Sequence, residues 1–188
     1  LPVIYAGQGI FFAEAYDELQ ELAELINAPV MTTTLGKSCF PENHPLSLGA
    51  GGNSAPKMVP EFLAKCDTVF GIGTSFQKTL ASYAVPAGKT IIQSTIDGTD
   101  LDNEYAIDHA IVGDAKLVLK SLIDEIRGRN ANGRDGNNIS PFFSINPIKF
   151  RKTQVITNGM ANNSEGRIRK NGMFAPRNQS AFPINFIL

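Results

Sequence analysis

Cysteine, histidine and long apolar runs are all scarce in this sequence. Cys39 and Cys66 are its two cysteines and His44 and His109 its two histidines, among 188 residues. The two cysteines have the spacing of neither a disulfide framework nor a metal site, so a reduced, cytoplasmic protein is expected. No Ser or Cys is placed to form a nucleophilic couple with either histidine, and both read as structural or solvated. No stretch approaches the ~18 consecutive apolar residues of a membrane span, and no basic, apolar, small-residue leader opens the chain. A soluble protein is the expectation. An excess of one charge is missing too, because the formal net charge is −1. That balance hides a division: 9 basic residues stand against 16 acidic ones through Arg129, and 8 against 2 after it. The basic charges of the tail are scattered and form no Arg/Lys face, so nucleic acid is not an expected partner.

The length suits one domain with a buried core and hardly two. Val3 to Ala6 is a short β-rich run ending in Gly7-Gln8-Gly9, and Phe12, Ala15, Leu19, Leu22, Ala23 and Ile26 follow at helical spacing. Asn27 suits the end of that helix, and Pro29 to Thr33 reads as the next strand. A loop-rich passage from Gly36 to Pro45 comes next, running into Leu46-Ser47-Leu48-Gly49 and a glycine cluster at 49, 51 and 52. Pro56 to Lys65 reads as a helix with Met58, Phe62 and Leu63 on one face. Three further strands are expected at Thr68–Gly73, Thr90–Asp97 and Ala110–Asp114, and a closing helix from Ala115 to Ile126. Strands with continuous Val/Ile runs, alternating with helices, predict an α/β, doubly wound, mostly parallel Rossmann-like sheet covered on both faces. No initiator Met precedes Leu1, whose neighbours already look like a strand, so the chain is expected to be a piece of something longer.

Residues 1–128 are the expected domain, and 129–188 an irregular, Asn-rich basic tail. Eleven of the last 59 residues are Asn, and Pro141, Pro147, Pro176 and Pro183 interrupt any period. Such a segment cannot build its own core. Its clusters Phe142-Phe143 and Phe186-Ile187-Leu188 suit docking on a partner, the alternative being disorder.

Gly7-x-Gly9, between a strand and a helix, is where backbone N–H groups could receive a phosphate; a glycine turn without a ligand reads equally well. The dinucleotide fingerprint wants glycine at position 12, which is Phe12, and an acidic residue ending the second strand, which closes in Thr32-Thr33-Thr34. A standard nicotinamide dehydrogenase is therefore disfavoured. Lys37, beside Gly36, is a candidate phosphate contact or a solvated lysine. Asp97 and Asp114, each at a strand's carboxyl end, are candidates for a ribose or adenine contact, or for capping the next turn or helix.

Several short motifs occur in one order: Pro2-Val3-Ile4-Tyr5-Ala6-Gly7-Gln8-Gly9, Ala28-Pro29-Val30-Met31-Thr32-Thr33, and Gly36-Lys37 with Phe40-Pro41-Glu42-Asn43-His44-Pro45-Leu46 and Gly49. Asp67-Thr68-Val69-Phe70-Gly71-Ile72-Gly73, Ile96-Asp97 and Val112-Gly113-Asp114-Ala115 continue the series. Over residues 1 to 127 this pattern resembles the central domain of thiamine-diphosphate-dependent enzymes of the acetolactate synthase and 2-oxoacid decarboxylase type. The resemblance implies a parent of three α/β domains, with thiamine diphosphate and Mg²⁺ held between the first domain of one subunit and the third of another. The activating glutamate belongs to the first domain and the diphosphate–Mg²⁺ motif to the third, so this chain should be inactive alone. It also implies a Rossmann-like sheet of six strands, a homo-oligomer (dimer or tetramer), and FAD or ADP in some members.

Where FAD-binding members carry an Arg, this chain has Ser75. Loss of that cation removes a contact of ~1.5–3 kcal/mol, so FAD is disfavoured and an adenine nucleotide is the expected ligand, if any binds. The candidate binding residues are Gly7, Gln8, Gly9, Gly36, Lys37, Gly73, Thr74, Ser75, Asp97 and Asp114, with no catalytic residue and no metal ligand. In the tail, Asp135-Gly136 precedes Asn162-Asn163 at nearly the spacing of the family's magnesium motif. Arg134 stands where the motif wants glycine, and two prolines intervene, so an Asn-rich coil is the better reading. The rival to a central domain is a free-standing nucleotide-binding or regulatory module of the same fold.

Overall fold

A computed structural model describes residues 1–52, 55–78, 82–131 and 154–155. Six parallel strands form its sheet: β1 (Pro2–Ala6), β2 (Val30–Thr32), β3 (Ser47–Ala50), β4 (Thr68–Ile72), β5 (Thr90–Thr95) and β6 (His109–Val112). Their order is β3-β2-β1-β4-β5-β6, and a two-residue strand, β7 (Gln154–Val155), lies beside β6. This is the doubly wound order, in which the chain reverses direction across the sheet between β1 and β4. The helices are α1 (Gly9–Phe12), α2 (Tyr16–Leu25), α3 (Met58–Lys65) and α4 (Ala115–Ala131).

The period-two alternation of the strands feeds two cores. Ile4, Ala6, Val30, Phe70, Ile72 and Ile111 face Leu19 and Leu22 of α2 and Val118, Leu119 and Ile123 of α4. Val3, Tyr5, Met31, Val69 and Ile91 face the other way, onto Val59 and Leu63 of α3 and onto Phe76. Both faces of the central strands are thus covered, as an all-parallel sheet requires. Ion pairs tie α2 to α4 at their polar edge: Lys116 and Lys120 lie 3.6 and 3.5 Å from the Glu18 carboxylate, and Arg127 lies 2.7 Å from Glu21.

Four local expectations need correction. The helical period from Phe12 to Ile26 is two helices, broken where Glu14 adopts φ +48°. Phe12 therefore leaves the stripe and stands 79% exposed, while Ile10 and Ala15 are buried. In α3 the buried residues are Val59 and Leu63, one helical turn apart, and Met58 stands exposed beside that face. Ser47–Ala50, not expected as a strand, is the edge strand β3, paired to β2 across a register shift between Val30 and Met31. The closing helix runs to Ala131, through Gly128 and Arg129. Asn27 does follow the end of α2, in the left-handed conformation at φ +49°.

Candidate functional site

At the carboxyl ends of β1, β4, β5 and β6 lies a crevice of about 580 Å³. An open α/β sheet places its ligands in this position, at the reversal of strand order. Gly7 and Gly9 follow β1, Gly73 follows β4, and Gly36 sits in the loop after β2. The structure packs these four glycines against one another. A Cβ on Gly7 would lie 2.3 Å from the Gly73 carbonyl oxygen, one on Gly9 would lie 2.6 Å from Gly73 Cα, and one on Gly36 would lie 2.8 Å from the Ala6 carbonyl oxygen. The close backbone approach is that of loop to loop. Their N–H groups are largely engaged as well: Gly7 donates to Ile72 O (2.9 Å), Gly9 to Gly73 O (2.9 Å) and Gly36 to Thr33 O (3.1 Å). α1, a single turn, follows this junction.

Of the other expected residues, Gln8, Thr74, Ser75 and Asp114 border the crevice, and so do Gly9 and Gly73. Thr74 shapes its own turn, its Oγ1 accepting from the Phe76 N–H at 3.2 Å and its carbonyl from Gln93 Nε2 at 3.0 Å. Asp114 caps α4, Oδ1 accepting from the Leu117 N–H at 3.1 Å. Asp97 and Lys37 lie outside the crevice wall, both on exposed surface. Asp97 accepts from the backbone N–H and the hydroxyl of Thr99, each at 2.8 Å, capping a 3-10 turn at Gly98–Asp100. Those bonds hold its carboxyl below the usual range, the backbone N–H contributing most. The capping alternative thus describes what the Asp97 and Asp114 side chains do.

The sequence reading missed much of the wall. Asp100, three residues beyond Asp97, borders the crevice and accepts from Thr95 Oγ1 at 3.3 Å. Tyr5, Phe76 and Tyr105 form an edge-to-face series, with ring centroids 5.7 and 5.8 Å apart, and Tyr83 lies near them. Phe76 reaches this position from the left-handed region, φ +53°, with its ring on Gly71 of β4. Burial pushes the Tyr5 phenol up to about 12, against a smaller opposing effect of the Tyr83 backbone. The alternation in β1 was the available signal, since it turns Tyr5 to the face opposite Ile4. At the rim stand Phe12, Leu35 and Ile96, 79%, 71% and 76% exposed. Ser94, which borders the crevice, has its Oγ buried without a hydrogen-bond partner, and Oε1 of the neighbouring Gln93 is buried likewise.

Neither histidine enters this site. His44 Nε2 lies 3.0 Å from Glu24, and its Nδ1 accepts from the Leu46 N–H at 3.2 Å, which makes it a loop brace. Cys39 and Cys66 are free and buried. Among the described residues no group of three His, Cys, Asp or Glu side chains could hold a metal ion, and none of their helices is long and apolar enough to cross a membrane. Asp135-Gly136, Asn162-Asn163 and the tail's apolar clusters lie outside the described residues.

Sheet order and crevice define a doubly wound, Rossmann-type domain. Comparison narrows that class. Residues 1–122 match the family model for the thiamine pyrophosphate enzyme central domain, and the chain belongs to that family. A relative named for the acetolactate synthase large subunit in Methanococcus aeolicus is 37% identical over 164 residues, covering 82% of this chain and 27% of the relative. One of the same name in Methanocaldococcus jannaschii is 41% identical over 125 residues, covering 65% and 21%. Among solved structures, one titled as a thiamin diphosphate-dependent enzyme from Mycobacterium smegmatis superposes with a TM-score of 0.53 at 26% identity, over 65% of this chain and 24% of that one. The chain spans about a quarter of the length of the curated relatives it matches. The Methanococcus match covers more of the chain than residues 1–131 contain, so it continues into the Asn-rich segment.

Proposed function

We propose that this chain serves an acetolactate synthase-like parent that acts on 2-oxoacids with thiamine diphosphate and Mg²⁺. In this reading it joins the two domains that hold the cofactor and buries surface between subunits of a cytoplasmic homo-oligomer. The observation that carries the reading is the match of residues 1–122 to the central domain, together with relatives named for acetolactate synthase. The described residues do not fit the cofactor itself: they offer no metal-ligand cluster, and no reaction step is assigned to them. The crevice suits the ring and sugar of an adenine compound, with aromatic side chains on one wall and hydroxyls and two carboxylates on the others.

The test is an assay of the purified chain with pyruvate, thiamine diphosphate and Mg²⁺. No turnover is expected, and cofactor-dependent acetolactate formation above background would overturn the reading. Sequence flanking the gene provides a second check. An upstream domain with the activating glutamate and a downstream Gly-Asp-Gly domain support a central domain; their absence supports the free-standing module.

A further inference from the structure

We propose that the crevice selects uncharged, ring-bearing ligands such as nucleosides and rejects their phosphorylated forms. This rests on the adenine reading above and narrows it. The described residues that border the crevice include two carboxylates, Asp100 and Asp114, and neither lysine nor arginine.

The lysines closest along the chain to the crevice loops already have partners. Lys78 stands over Tyr105 of the crevice wall, 4.4 Å from the ring centroid, but donates to the Glu104 carbonyl at 2.8 Å and is paired with the Glu104 carboxylate at 3.8 Å. Lys116 donates to the Glu14 carbonyl at 3.0 Å and faces Glu18. Lys37 is exposed and outside the wall. The amino end of α4 supplies a partial positive charge, equivalent to about half a unit. Asp114, capping that same end, more than offsets it, and Asp100 adds a second negative charge.

The glycine turn after β1 does not make up the deficit. The Gly7 and Gly9 N–H groups, which a diphosphate would need, are bonded to Ile72 and Gly73. What remains favours a neutral ligand. Tyr5, Phe76 and Tyr105 offer ring edges and faces, and the two carboxylates can accept from sugar hydroxyls.

Titration calorimetry on the whole 188-residue chain, with adenosine, AMP and ADP as probes, tests this. Adenosine should bind at least about tenfold more tightly than ADP at low ionic strength, the scale of one like-charge contact near a protein surface. The gap should narrow as salt rises, because screening weakens repulsion. The double substitution Asp100→Asn and Asp114→Asn keeps the acceptor oxygens, and Asn caps a helix as well as Asp, so the fold should survive while the preference shrinks. Ser75→Arg should raise ADP affinity over the parent chain and make it salt-dependent, with adenosine little changed. ADP binding as tightly as adenosine, or more tightly, would overturn the selectivity and leave the adenine reading standing. Binding of neither probe at millimolar concentration would overturn both.

Discussion

Replacing Gly73 by alanine tests the glycine junction at the end of β4. Gly73 has φ +62°, and an added Cβ would lie 2.8 Å from Gly9 Cα and 3.0 Å from both Gly9 C and Ile10 N. All three atoms belong to backbone that opens α1, and the Gly9 N–H is bonded to Gly73 O at 2.9 Å. Neither side can withdraw without breaking that bond. The left-handed conformation costs alanine ~1 kcal/mol, and overpacking against fixed atoms costs ~1–3 kcal/mol. Reduced freedom of the unfolded chain returns ~0.4–1 kcal/mol. The expected net loss is ~1–3.5 kcal/mol, a large share of the ~5–15 kcal/mol that holds a domain together.

Gly88 supplies the control. Its φ is +80°, yet a Cβ there meets nothing within 4 Å, so Gly88→Ala carries the conformational cost alone, about 0.5 kcal/mol after the same unfolded-state gain. Urea unfolding followed by circular dichroism should shift the Gly73→Ala midpoint by roughly 1 M, taking a slope of ~2 kcal/mol/M. The Gly88→Ala midpoint should move by about a quarter of that. Equal midpoints for the two variants would refute the claim that the β1 and β4 turns are pressed together.

Gly128 lies in α4 with open space around its Cα; Gly128→Ala should therefore stabilise the chain by ~0.5–1 kcal/mol through helix propensity, and a lowered urea midpoint would contradict this. Tyr5 should resist ionisation until pH about 12. Its raised value stabilises the fold fully below the ordinary tyrosine value near 10, and that contribution is lost as pH rises through about 12. Absorbance at 295 nm should record this as a late step, absent if Tyr5 is replaced by phenylalanine; loss of no late step in that variant would count against the burial argument. Burial pushes the Cys39 thiol up to about 12 and raises Cys66 as well. Both should react slowly with Ellman's reagent in the native chain and promptly in denaturant, and fast labelling of Cys39 under native conditions would mean its site opens readily.

The sequence alone determined the class of fold and most of its elements. Continuous Val/Ile runs, such as those in β4 and β5, report burial on both faces wherever they occur, and Asn27 marked the end of α2 through its tolerance of positive φ. The ordered motifs over residues 1 to 127 identified the family, since each motif is local and survives in the chain itself. Tertiary structure decided what the motifs are for. Gly7-x-Gly9 read equally well as a place for a ligand's phosphates or as a structural turn; only the fold brings residues 7–9 and 73 together, backbone against backbone. Asp97 and Asp100 cannot be told apart by spacing, and the 3-10 turn between them puts one on exposed surface and the other in the crevice wall. Phe12 fitted a helical stripe that a kink at Glu14 breaks, leaving it at the rim with Leu35 and Ile96. Periodicity records each residue's orientation within its own element. The charge and shape of a crevice depend on loops that are distant in sequence, and their arrangement is set by how the strands are ordered.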